Sequence, residues 1–176
     1  SSRAAYVVAD ERELAPEVTD YLEVVAKPYF KAVVNWLENL RIGMRGGDMY
    51  ALIEQVLPKA EYHWHLNPGH LVADEEWLCS PIGPHSSACL QSGMILQIGY
   101  GGASIEDTVA LADGPLRQAL AQRYPQLWQR IVARRLYIGE QLGIVLPEEV
   151  LPFSSTVGYL RPWLLSPERA LVCAPY

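Results

Sequence analysis

The sequence predicts an α+β domain with a largely antiparallel sheet and helices segregated to one side. Three observations predict it. Apolar residues recur at helical spacing across residues 17–40. Two strand-like runs flank a glycine-rich turn between Met94 and Leu111. A pair of proline-started helical segments then fills residues 115–142. At 176 residues and 50% hydrophobic content, the chain is long enough for one core, and residues 1–176 read as a single domain.

The elements follow in order. Tyr6-Val7-Val8 reads as the end of a strand. Val18, Leu22, Val25, Tyr29, Val33, Trp36, Leu37 and Leu40 form one apolar helix stripe, which Pro28 should kink or split. Gly43 and Gly46-Gly47 close that region. Asp48 is expected to cap a second helix from Met49 to Val56, stopped by Pro58. Glu61-Tyr62-His63-Trp64-His65-Leu66 alternates and is aromatic, which predicts a strand. Pro68-Gly69 predicts a turn, with Leu71-Val72 opening another strand. Residues 80–84 read as loop. Met94 to Ile98 and Ser104 to Leu111 form the expected hairpin around Gly99-Tyr100-Gly101-Gly102. Gly143 should end the last long helix. Beyond it, Pro147, Pro152 and Pro162 punctuate a tail with apolar patches at Val150-Leu151, Val157 to Leu160 and Trp163 to Leu165.

Composition excludes several functions. The 14 basic and 20 acidic side chains give a net charge of −6, which disfavours a nucleic-acid partner. Arg130, Arg134 and Arg135 share a helical segment with Glu140 and are expected on a solvated or paired face. No apolar run approaches the roughly 18 residues that would span a bilayer, so no membrane role is expected. Cys79, Cys89 and Cys173 match no metal or redox spacing and are expected as free thiols in a reducing cytoplasm. Ser154-Ser155-Thr156 lacks the nucleophile-elbow pattern of a serine hydrolase. No phosphate-binding glycine motif is present.

The chemistry-bearing residues cluster around one turn. His70 leaves Pro68-Gly69, and glycine there admits backbone angles that aim the imidazole. Such an imidazole is a common metal ligand, although a hydrogen-bonded turn histidine competes with that reading. Alternation puts Glu106, Thr108 and Ala110 on one face of their strand, and Ile105, Asp107, Val109 and Leu111 on the other. Glu106 thus shares a face with small residues, as a cleft residue would. A charged pair on a sheet surface is the competing reading. His63 and His65 would share a strand face, and His65 is close enough to the turn to touch a substrate. Asp74-Glu75-Glu76 reads as a solvated acidic run.

Asn67-Pro68-Gly69-His70, Ser92-Gly93-Met94-Ile95-Leu96-Gln97-Ile98 and Ile105-Glu106-Asp107-Thr108-Val109 together resemble the pita-bread superfamily. Its members include methionine aminopeptidases, Xaa-Pro peptidases, prolidase and creatinase. The Xaa-Pro-peptidase-like and creatinase-like members are the most similar, over residues 1–165. The resemblance implies a curved antiparallel sheet with helices on its outer face, incomplete at the N-terminus. It implies a metal-dependent hydrolase that cleaves a peptide or related C–N bond with divalent Mn, Zn, Fe or Co. His70 and Glu106 match two of the five metal ligands, and His65 is a weak catalytic candidate. Gly99 stands where a Gly-Met-x-x-x-x-Glu strand would supply an acid. Arg3 could match a family arginine, no aspartate accompanies it, and Trp77 stands where peptidases carry a second histidine. Further readings follow: a non-catalytic homologue that binds a ligand or partner, and a creatinase-like enzyme that works without metal or a member repurposed for other small-molecule chemistry. Expected partners are a small peptide or small-molecule substrate, a second copy in a homodimer, and an N-terminal segment absent from this chain.

Overall fold

The computed structural model describes residues 12, 16, 19–20, 22–65, 68–72, 79–99 and 106–154. The expected strand at Tyr6-Val8, the acidic run at 74–76, most of the 99–102 turn and the tail patches at 157–165 lie outside these residues. So do Arg3, Trp77 and Cys173.

Helix α1 spans Lys27–Asn39, with Pro28 in its first turn and a π-helical stretch, Leu22–Ala26, ahead of it. The expected split at Pro28 therefore takes the form of a change in winding. A proline ring clashes with the carbonyl four residues back and offers no N–H, so a regular α-ladder cannot run through it. Tyr29, Ala32, Val33, Trp36 and Leu37 form the buried face of α1.

Helix α2 spans Gly46–Val56, and Asp48 lies within its first turn instead of capping it. The first amide groups are satisfied from across the fold. Gly46 donates to the Ala88 carbonyl at 2.8 Å and Gly47 to the Ser86 carbonyl at 2.9 Å. A Cβ at Gly46 would fall 1.8 Å from the Pro81 carbonyl oxygen. The glycines thus start the helix against the 81–88 segment, where the sequence had them ending the preceding region.

The strand expected over residues 61–66 does not form among the described residues 61–65. Lys59–Tyr62 make a short helix, α3, and His63 follows in the left-handed region at φ 52°. Pro58 starts this turn by accepting from Glu61 and Tyr62 at 3.0 and 2.9 Å. The aromatic side chains then pack individually. Trp64 is buried and donates its Nε1 proton to the Leu57 carbonyl at 2.7 Å. Tyr29 donates its hydroxyl to the Tyr62 carbonyl at 3.0 Å.

The sheet has the order β1-β2-β3-β4, antiparallel throughout, with β1 at His70–Leu71, β2 at Ile95–Gly99, β3 at Glu106–Leu111 and β4 at Val150–Pro152. The β2–β3 pair matches the expected hairpin strands. β4 adds a strand where the sequence suggested only an apolar patch. Helix α4 spans Gly114–Arg123, and its N-cap Asp113 accepts from the Leu116 amide at 2.9 Å. Helix α5 spans Pro125–Leu142 and ends at Gly143, φ 67°. There Gly143 donates to Gly139 at 3.1 Å and Ile144 to Ile138 at 3.2 Å, closing the helix by a Schellman pattern.

Helical cover lies on both faces of the sheet, which corrects the one-sided expectation. Leu96, Ile98, Val109, Leu111 and Val150 pack with α1 and α2 in the main core. Ala110 and Leu151, with Ile95, pack instead against Leu116, Leu120, Leu127, Trp128 and Ile131 of α4 and α5. The cause is in the strands: Ile95 and Ala110 alternate with the core residues and are themselves apolar, so the second face also excludes water. Ile138 and Leu142 near the end of α5 rejoin the main core. Arg135 on α5 donates to the carbonyls of Leu146, Pro147 and Val150. It therefore blocks the outer edge of β4 and is not on a solvated face. Burial, reinforced by nearby Arg117 and opposed by Glu148, lowers its guanidinium pKa from the usual value.

Candidate functional site

The turn that presents His70 is built from behind. Gly69 has φ 141°, and a Cβ there would lie 2.6 Å from Ile82 Cδ1 and 3.4 Å from Trp36 Nε1. Its carbonyl accepts the Ser80 hydroxyl at 2.6 Å, and the same hydroxyl lies 2.8 Å from the Ile82 carbonyl. The backbone at 69 thus rests directly on the α1 core with no room for a side chain. His70 enters β1 from this anchored point and is 9% exposed.

Strand register decides which side chains meet. His70 stands opposite Gln97, and Gln97 opposite Thr108. Directly paired residues of antiparallel strands point to the same face, as do residues two apart along one strand. His70, Gln97 and Thr108 therefore form a row across three strands, and Glu106 and Gly99 lie on the same face one step along. Strand spacing and rise place the Cα atoms of His70 and Glu106 about 12 Å apart.

Glu106 is exposed, and Gln97 Nε2 donates to its Oε2 at 3.1 Å. Gly99 is its register partner, so no side chain faces it from directly across the ladder. The place where the family pattern would put a second acid is thus the place nearest Glu106. The next residue, Asp107, is 2% exposed and points to the opposite face, where its Oδ1 accepts the Ser154 hydroxyl and the Thr108 amide. Phe153 also donates to the Thr108 carbonyl at 2.9 Å. These bonds fix the Glu106 end of β3 to the chain beyond β4.

The two ligand candidates are thus brought to one face. No group of three or more His, Cys, Asp or Glu side chains converges on a metal geometry among the described residues. One imidazole and one carboxylate do not fit a pair of dications, which need several bridging carboxylates. His65 is exposed, outside any strand, and does not share the sheet face of His70 and Glu106. His63 is also exposed. Sequence reasoning missed Gln97 as a site residue. Alternation puts Gln97 and Gly99 on one face of β2, but only register shows that it is the face of Glu106.

Among the described residues, no helix is long and apolar enough to cross a membrane. No protein-family model matches the sequence. No curated protein matches it. Among solved structures, the chain is similar to the crystal structure of a dipeptidase from Pyrococcus horikoshii OT3, at 25% identity and a TM-score of 0.43, over 52% of this chain and 28% of that one.

Proposed function

We propose that this chain carries the working face of a pita-bread-type hydrolase, of the Xaa-Pro-peptidase and creatinase kind, acting on a C–N bond in a small peptide-like molecule. The observation that carries the reading is the register: His70 and Glu106, from separate strands, occupy one sheet face with Gln97 and Thr108 between them, at the end beyond the apolar cluster of Ile95, Ala110 and Leu151. The order and spacing of the sequence motifs around those residues support it.

On this reading His70 exchanges a proton with the reacting group. Glu106 accepts hydrogen bonds from substrate N–H groups, and Thr108 and Gln97 line the floor between them. In the metal-dependent form that the resemblance implies, His70 and Glu106 would be the residues to hold a divalent Mn, Zn, Fe or Co ion, which would supply Lewis-acid chemistry. The donors on this face suit at most a weakly held single ion. A metal-independent, creatinase-like form asks less of them. A protein that binds without cleaving is the second reading, favoured by Gly99 in place of the expected acid. A cytoplasmic homodimer belongs to the same proposal.

The test is release of free proline from an Ala-Pro dipeptide, with EDTA, with added Mn²⁺ and with neither, in wild type and His70→Ala. Turnover abolished by His70→Ala supports the hydrolase, and its response to EDTA separates the two forms. Calorimetric binding of Ala-Pro without turnover would favour the binding protein. Neither binding nor turnover would overturn the substrate class.

A further inference from the structure

The Gln97–Glu106 hydrogen bond has a chemical consequence for what the face accepts. Glu106 is held diagonally, not from across the ladder. Gln97 is paired with Thr108, two residues along β3 from Glu106, while the directly opposite position is Gly99. Diagonal neighbours on one sheet face are within reach only of long side chains. The hydrogen bond therefore ties the carboxylate to the row that contains His70. It also occupies one carboxylate oxygen with a neutral donor that brings no negative charge to the site.

We propose that Gln97 is the positioning and selectivity residue of this face: it orients Glu106 toward His70 and keeps that carboxylate from acting as half of an acidic pair for a dication. The face then selects neutral or N–H-bearing ligands over divalent metal ions. This rests on the reading of the face as a substrate site. It goes further by naming the residue that sets ligand chemistry there.

The substitution Gln97→Glu tests it. It replaces a donating amide by a carboxylate of nearly the same shape, within hydrogen-bond reach of Glu106. Two carboxylates that close repel each other unless a cation lies between them. Calorimetry with Mn²⁺ alone should show at least about tenfold tighter binding in Gln97→Glu than in wild type. The gain should vanish in the Gln97→Glu, Glu106→Gln double variant. Equal Mn²⁺ affinity in wild type and a folded Gln97→Glu protein would overturn the proposal, as would a gain that survives loss of Glu106.

Gln97→Leu, of similar size and without a charge, gives an independent reading. It should raise KM for Ala-Pro severalfold with little change in kcat, because Glu106 loses its orientation but His70 is untouched. An unchanged KM would also count against the proposal. If wild type neither binds nor cleaves Ala-Pro, the substrate reading fails, while the Mn²⁺ comparison still decides the role of Gln97.

Discussion

Gly69→Ala should unfold the site from behind. The perturbation is one methyl group. The φ of 141° at residue 69 is open to glycine and strained for alanine, at a cost of about 1–3 kcal/mol. The new Cβ would also meet Ile82 Cδ1 at 2.6 Å, and Ile82 is fully buried. Overpacking a closed core of this kind costs about 1–3 kcal/mol more. Together these give about 2–6 kcal/mol, a fall in Tm of roughly 5–20 °C for a domain of this size. The assay is thermal unfolding by circular dichroism, with Ile82→Val as the partner variant. Ile82→Val removes the clashing Cδ1 and by itself costs about 0.5–1.5 kcal/mol. In the double variant the steric part should be recovered and the backbone part should remain, so the two changes should couple by at least about 1 kcal/mol. A Gly69→Ala protein that melts within about 2 °C of wild type, or two changes that simply add, would refute the argument that the turn is set by close packing against Ile82.

Three further outcomes are expected. Arg135→Leu removes the donors that hold the Leu146, Pro147 and Val150 carbonyls, and should cost about 2–4 kcal/mol in urea unfolding. A loss below 1 kcal/mol would mean that water replaces those bonds freely. Asp113→Ala removes the side-chain acceptor for the Leu116 amide and should cost about 0.5–2 kcal/mol, whereas Asp48→Ala, in a helix already started by Ala88 and Ser86, should cost less. Burial raises the phenol pKa values of Tyr29 and Tyr50 above 10.0. The stability tied to their neutral forms is present below about pH 10, where unfolded tyrosines ionise, and is lost as pH rises through the folded values. Tyr29→Phe should therefore flatten the alkaline decline in Tm, and an identical pH profile would count against it.

The legible parts of this fold were those in which one local rule decided the outcome. The hairpin strands, the proline-started α5 and its Gly143 end follow from alternation, a missing N–H and a left-handed backbone position. The illegible parts were those in which distant residues supplied the missing partner. Asp48 has the right chemistry for a cap, but the carbonyls of Ser86 and Ala88 serve the α2 amides first. Residues 61–66 alternate as a strand should. Yet Pro58 starts a helical turn there, and Trp64 reaches back to the Leu57 carbonyl. Arg135 looked like a surface charge on α5 because the carbonyls it meets lie up to fifteen residues away.

The same distinction governs the site. His70 and Glu106 stand out in the sequence because each sits on a short motif, and register puts both on one sheet face. What passed unnoticed was the residue between them. Gln97 is ordinary in sequence and becomes informative only through register, which sets it opposite both His70 and Thr108 and diagonal to Glu106. Gly99 shows the same effect in reverse. In sequence it is a missing acid within a strand motif. In the sheet it is the register partner of Glu106, so its lack of a side chain leaves Glu106 to be oriented by Gln97 alone from β2. A site that has an acid at that position would hold two facing carboxylates and call for cations. With glycine there and an amide two residues before it, the face offers one oriented carboxylate and one imidazole. On the proposed reading, that pair serves a small molecule carrying N–H groups and not two metal ions, which need several bridging carboxylates.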